Sequence, residues 1–248
     1  MSKLYFLSSV LVVFLLVGCN QIDKKRKGEN VTIQNKKTIK ERGIAYIENN
    51  LKINAAEKYE MEYFEAFIDQ DTIKDALFLV RRKEYATLKA KKAKVYDNFI
   101  KLGSTANENY IYVYNGKTKK FRTTAPIGSS MNQPIQVDFK SITSLSKKDI
   151  VINYYILDSK FVSYYTVNER NVYPVLNHPI YTDYGKETQA AYSVKFSEGT
   201  FSLAKDIDLY KSELFIKDSI EQFFPSEELY LKFMFDPRKQ KYVTKGVE

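Results

Sequence analysis

The sequence contains very little of the chemistry that most enzyme sites use. Its 248 residues include one cysteine, Cys19, one histidine, His178, and no tryptophan. A zinc site built from several His and Cys ligands is therefore excluded. No nucleophile-elbow, dinucleotide-binding or P-loop pattern occurs either. The sequence predicts no catalytic residue, no metal ligand and no cofactor.

Long hydrophobic runs are also scarce, and the one that exists lies at the N-terminus. Leu4–Val17 is almost entirely apolar, follows the positive charge of Lys3 and precedes the small residue Gly18. At about fourteen residues this run is shorter than the ~20 that a transmembrane helix needs. A charged start, a short apolar run and a small residue at its end are typical of a secretory signal peptide.

The end of that segment, Leu16-Val17-Gly18-Cys19, resembles the lipobox of bacterial lipoproteins at all four positions. The resemblance implies that residues 1–18 are removed and that Cys19 is acylated as the new N-terminus. Two acyl chains suffice for stable membrane anchoring. A cleaved secretory peptide and a buried thiol are the alternatives. We expect an exported protein, anchored to a bacterial membrane through Cys19, whose folded domain has no disulfide.

The charge of the chain is strongly basic, with a formal net charge of +9. Residues 19–37 carry part of this charge, including the run Lys24 to Lys27, and are predicted to form a flexible tether. Export argues against nucleic acid as a partner. Anionic lipid head groups or acidic polysaccharides are the expected counter-charges, unless the lysines only keep the surface soluble.

Residues 38–248 are predicted to form a single β-rich domain of the α+β class, built mainly as a meander of antiparallel hairpins. Four-residue spacing of apolar side chains predicts a helix over 38–56, and about ten later segments have the pattern of strands. Asn115-Gly116 is the clearest hairpin turn. Residues 168–186 are predicted to be an irregular loop with short strands, and Asp218–Phe224 a short late helix.

Two other segments carry predictions that the structure tests. Ala191–Phe196 and Phe201–Leu203 have the pattern of a hairpin. Phe233 and Phe235 share one face of a late strand, so Lys232 on the opposite face is expected to contribute little to stability.

A polar turn with a Lys-Asp pair occurs twice before an apolar strand. Thr72–Asp75 leads into Ala76–Val80, and Ser146–Asp149 leads into Ile150–Ile152. Over about a dozen residues per copy this resembles the blade unit of FG-GAP-type propeller repeats. The chain lacks the glycine and most of the acidic ligands of that family's calcium loop. A true repeat and a chance likeness between two hairpins both stay open.

The densest group of acids also invites a calcium interpretation. Asp69, Asp71 and Asp75 imitate the first, third and seventh positions of an EF-hand loop. Ile73 occupies the fifth position, and the required glycine and final glutamate are absent. We interpret this segment as an acidic turn.

Tyrosine density between positions 154 and 192 suggests a recognition surface, because Tyr offers a flat apolar face and a hydroxyl group. The alternative is that these residues fill the core of a sheet without tryptophan. The candidate binding residues are Tyr164, Tyr165, Tyr173, Tyr181 and Tyr184.

Together these features predict a membrane-anchored envelope lipoprotein with a binding or scaffolding role, whose partner is an envelope glycan or protein. The prediction favours a protein that is not an enzyme. The alternative is a carboxylate-dependent envelope hydrolase that cleaves a glycan with two carboxyl groups about 5–10 Å apart.

Overall fold

A computed structural model describes residues 37–93, 108–130, 132–183, 189–217 and 220–244. The predicted signal peptide, Cys19, nearly all of the tether and Tyr184 lie outside these residues. The chain from residue 37 onward belongs to one compact unit.

The described residues form two helices and thirteen strands. The helices are α1 (Ile39–Asn50) and α2 (Lys83–Lys92). The strands are β1 (Glu60–Ala66), β2 (Asp75–Arg81), β3 (Asn109–Asn115), β4 (Lys120–Phe121), β5 (Ala125–Ile127), β6 (Gln136–Lys140), β7 (Asp149–Ile156), β8 (Ser159–Val167), β9 (Val172–Thr182), β10 (Ala190–Ser197), β11 (Asp206–Lys217), β12 (Ile220–Asp236) and β13 (Lys241–Thr244).

The strands pair with their sequence neighbours in two antiparallel sheets. The first has the order β1-β2-β3-β4, with β5 also paired to β3, and the second runs from β6 to β13 in sequence order. This confirms a β-rich α+β fold of antiparallel hairpins with an N-terminal helix. The short second helix is α2, however, and the segment predicted to be a late helix enters strand β12 at Ile220.

Helix α1 covers the outer face of the first sheet. It begins at Thr38, whose side chain accepts from the backbone of Glu41 while the Glu41 carboxylate accepts from Thr38, so the first turn has a complete capping box. Gly43 faces the sheet so closely that a Cβ there would lie 2.1 Å from Cζ of Phe78. Fully buried Ile47 completes this contact with Phe78.

Three hairpins of the chain share one construction. The pairs β1–β2, β6–β7 and β10–β11 are each joined by an eight-residue loop, which we call an aspartate loop: residues 67–74, 141–148 and 198–205. Each loop ends in lysine and is followed by aspartate, at Lys74-Asp75, Lys148-Asp149 and Lys205-Asp206. The sequence pattern revealed two of these copies, and the structure adds the third.

The carboxylate of each aspartate holds its own loop. All three aspartates are buried, with at most 1% of each residue exposed. In every copy the backbone N–H six residues earlier donates to the Oδ2 atom. The donors are Asp69 to Asp75 at 3.2 Å, Thr143 to Asp149 at 2.6 Å and Thr200 to Asp206 at 3.1 Å. A buried N–H without an acceptor costs about 1–3 kcal/mol, so each carboxylate stabilises a fixed loop conformation.

The three hairpins define three stacked units. We call β1–β5 unit 1, β6–β9 unit 2 and β10–β13 unit 3. Leu77 and Leu79 of unit 1 share a core with Ile150 and Ile152 of unit 2. On the other face of unit 2, Val151 and its neighbours share a second core with unit 3, whose members include Ile207, Leu209 and Phe233. The second sheet therefore bends between β9 and β10, so that its two halves face each other.

The two ends of this stack are finished differently. Helix α1 covers unit 1, whereas the outer face of unit 3 carries the polar residues Asp208 and Lys232, which pair across β11 and β12. Terminal units of stacked proteins need such a cover or a polar outer face to stay soluble.

The structure corrects two predictions made from the sequence. Residues 172–182, predicted to lie in an irregular loop with short strands, form the continuous eleven-residue strand β9. Phe201–Leu203 belongs to the third aspartate loop, and the strand that returns along β10 is β11. The small stability contribution expected of Lys232 stays a prediction, although its Nζ lies 3.4 Å from Asp206 Oδ2 and 3.2 Å from Asp208 Oδ1.

The aspartate loops lead to a stability prediction for Asp149→Ala. The substitution leaves the backbone N–H groups of Ile142 and Thr143 without their acceptor, so we expect a loss of about 2–4 kcal/mol in the free energy of unfolding. Urea denaturation measures it. Asp158→Ala, in the exposed β7–β8 turn, is the control and should change stability by less than about 0.5 kcal/mol. Equal effects of the two variants would contradict the role of the buried carboxylate.

Candidate ligand-binding cleft

The aspartate loops and three four-residue turns lie together at one end of the strands, which we call the loop end. The turns are residues 116–119, 168–171 and 237–240. In unit 1 the backbone N–H of Gly116 donates to Asp75 Oδ1 at 2.8 Å. Between units 2 and 3, the N–H of Lys205 donates to the carbonyl oxygen of Ile142 at 2.8 Å.

A polar cleft of about 790 Å³ opens at this end between units 1 and 2. Its lining residues belong mainly to five segments: the first aspartate loop, the 116–119 turn, strand β4, the second aspartate loop and the 168–171 turn. Twelve of its fourteen lining residues are polar or charged, and the two exceptions are Phe121 and Val167. Phe121 is held by a stacked contact with Tyr46, with ring centroids 4.0 Å apart.

Arg122 forms the floor of the cleft and joins the two units. Its side chain is 1% exposed; Nη2 donates to Asp69 Oδ2 at 2.5 Å, and Nε donates to the carbonyl oxygen of Asn168 at 2.8 Å. Nη1 lies 3.6 Å from Asp75 Oδ2 and has no hydrogen-bond partner among the described residues. Burial raises the pKa of Asp75, although Gly116 and Arg122 act in the opposite direction.

A second cation, Lys147 of unit 2, also lies at this boundary beside Arg122 of unit 1. Its Nζ donates to Thr166 Oγ1 at 2.7 Å and to the carbonyl oxygen of Val167 at 3.3 Å. Burial lowers the pKa of Lys147, and nearby Asp149 only partly offsets this. The other two aspartate loops have Ile73 and Ala204 at the same place, so this amine is specific to the unit 1–unit 2 boundary.

The rim of the cleft presents exposed groups of both charge signs. Lys117, Lys120 and Arg170 are exposed, as is Glu169, and Asp71 is partly exposed. Such a wall offers hydrogen-bond donors and acceptors at close range, which suits a ligand rich in hydroxyl groups or carrying both charges.

The carboxylates of the acidic turn are engaged by protein donors. Asp69 accepts from Arg122 and Asn115, and Asp71 Oδ1 accepts from the N–H of Ile73 at 2.8 Å. The described parts of the chain contain no group of three or more His, Cys, Asp or Glu residues placed to hold a metal ion. These hydrogen bonds hold the conformation of the segment from Asp69 to Asp75, which the sequence analysis interprets as an acidic turn.

The predicted tyrosine surface needs correction. Tyr164 and Tyr165 are only 2% and 6% exposed, because their strand lies between units. Burial raises the pKa of Tyr164, and raises that of Tyr165 to about 12. Tyr173 and Tyr181 are partly exposed, with hydroxyl groups 3.3 Å from Gln240 Oε1 and Asp183 Oδ2. None of these four lines the cleft.

Sequence reasoning missed the residues that build the cleft. Arg122 and Lys147 come from different units, and Arg122 is 53 residues from its partner Asp69. Local patterns located two lining segments correctly: the Asn115-Gly116 turn and the acidic turn that contains Asp69 and Asp71.

Comparisons with protein-family models, with curated proteins and with solved structures give no match to this chain. The likeness to FG-GAP-type repeats therefore stays a resemblance of two sequence segments. Neither of the described helices is long and apolar enough to cross a membrane.

His178 leads to a prediction of pH dependence. Its ring packs edge-on against Phe233, with centroids 5.1 Å apart, and burial lowers the pKa of His178 below 6.5. The unfolded chain therefore binds a proton at His178 more readily than the folded chain does, so the free energy of unfolding falls as the pH drops below about 6.5. Urea denaturation at pH 7.5 and pH 5 should show a larger loss for the wild type than for His178→Gln. Equal losses would contradict this account, because His178 is the one histidine in the chain.

Proposed function

We propose that this chain is an envelope lipoprotein, anchored through acylated Cys19, that binds a polar ligand in the cleft between units 1 and 2. The lipobox resemblance supports the anchor. The composition of the cleft supports the binding role, since twelve of its fourteen lining residues carry polar or charged groups and the lining comes from two separate units.

An envelope glycan is the ligand class that fits this cleft best. The exposed side chains of Thr118 and Asn168 supply a hydroxyl and an amide group beside the charged residues. Sugar hydroxyl groups can donate to the carboxylates and accept from the cations, while the ring of Phe121 offers an apolar surface. Among the described carboxylates of the cleft, Asp69 accepts from Arg122 and Asn115, and Asp71 accepts from the N–H of Ile73. This internal use of both carboxylates favours binding over cleavage.

The anchor is tested with Cys19→Ser. Without the thiol no diacylglyceryl group can be attached, so the protein should move from the membrane fraction to the soluble fraction after a high-salt wash. Immunoblotting of the fractions measures this distribution. Retention of the variant at the wild-type level would contradict the lipid anchor.

The cleft is tested with Arg170→Ala. Arg170 lines the cleft and is exposed, so its loss should weaken binding of soluble envelope glycan fragments by about tenfold, as expected for one charge-assisted hydrogen bond of ~1.4 kcal/mol. Isothermal titration calorimetry with the wild type measures the reference affinity.

Lys239→Ala is the matched control for this experiment. Lys239 occupies the same place in the 237–240 turn of unit 3 that Arg170 occupies in unit 2, and it lies away from the cleft. The affinity of Lys239→Ala for the glycan fragments should equal that of the wild type. Equal affinities for all three proteins, or no binding by the wild type, would contradict the proposed site.

A further inference from the structure

The loop end exposes apolar side chains that a soluble surface normally hides. Every aspartate loop contributes at least one, and the two most exposed large apolar side chains of the described residues, Leu203 (87%) and Leu145 (73%), both lie there. The others in these loops are Phe67, Ile73 and Phe201. Because the loops are equivalent parts of stacked units, their tips fall along one edge of the domain.

The same end is basic. The three aspartate loops and the three turns contain nine Lys or Arg residues and four Asp or Glu residues, which gives these six segments a net charge of +5. Eight of the nine cations are exposed, and one of them immediately precedes the buried aspartate of each aspartate loop: Lys74, Lys148 and Lys205. Lys147 is the ninth and is used internally.

Exposed apolar tips among exposed cations have a specific physical complement. Apolar side chains gain by entering the boundary between head groups and acyl chains, and neighbouring cations remain level with lipid phosphates. An anionic surface adds attraction for each cation. A hydrophilic glycan would satisfy the cations and leave Leu145 and Leu203 in water.

We propose that the loop end docks on an anionic lipid bilayer, with Leu145, Phe201 and Leu203 inserted at the interface. The inference goes beyond the proposed glycan binding and does not require it. The aspartate loops form a rigid surface, because the buried carboxylate of each loop fixes its conformation before the loop meets the bilayer. The predicted tether of residues 20–37 spans at most about 60 Å when extended, so the anchor leaves the domain free to reach this orientation.

The absence of tryptophan from the chain allows a direct test with single reporters. Leu203→Trp places one at the loop end. Leu88→Trp, on helix α2 after β2, places one at an exposed apolar position away from the loop end, since Leu88 is 54% exposed. The acylated full-length proteins are reconstituted in vesicles of phosphatidylglycerol and phosphatidylcholine that contain brominated phosphatidylcholine.

The expected result is a blue-shifted emission for Leu203→Trp and quenching at least about twofold stronger than for Leu88→Trp. Vesicles of phosphatidylcholine alone, or about 0.5 M salt, should reduce the difference, because the cations then lose their counter-charges. Leu145→Trp should behave like Leu203→Trp and guards against a local defect of one variant. Equal quenching of the loop-end reporters and Leu88→Trp, or a water-exposed spectrum for both loop-end reporters, would overturn the proposal. Binding of soluble glycan by the wild type is measured without vesicles, because the cleft opens at the same loop end, and that result tests the cleft alone.

Discussion

A buried aspartate that accepts hydrogen bonds from its own loop is the interaction on which this structure depends. Removing a carboxylate from water is costly unless several donors surround it. Here the donors are backbone N–H groups of the loop itself, joined in unit 3 by the hydroxyl of Thr200 and in unit 2 by that of Thr143. Each buried aspartate therefore fixes its eight-residue aspartate loop through hydrogen bonds, with no need of a disulfide or a metal.

The aspartate loops also help to explain how three similar hairpins assemble into one domain. In each hairpin an apolar strand follows the aspartate immediately. In unit 2 the two faces of this strand meet units 1 and 3, whereas in units 1 and 3 one face meets unit 2. At the unit 1–unit 2 boundary, Arg122 is shared between Asp69 and the carbonyl oxygen of Asn168. The polar cleft exists because charged groups, rather than apolar ones, fill this boundary at the loop end.

The sequence predicted local structure better than it predicted assembly. Short apolar-rich segments located β2, β3, β7 and β8 because each buries at least one face. The 168–186 prediction failed because Pro174 and Pro179 suggested a loop, whereas β9 accommodates them beside register shifts in its pairing with β8. The tyrosine prediction failed in part because periodicity cannot show that both faces of β8 are covered. Arg122 and Lys147 carry no local signal, since their roles arise only when the units meet.

Amide hydrogen exchange followed by NMR tests the central claim most directly. If buried carboxylates hold the three loops, the backbone amides of Asp69, Thr143 and Thr200 should exchange as slowly as those of the adjacent strands, because all open together. Loop amides that exchange as fast as those of residues 238–240 in the exposed β12–β13 turn, while strand amides stay protected, would contradict the account.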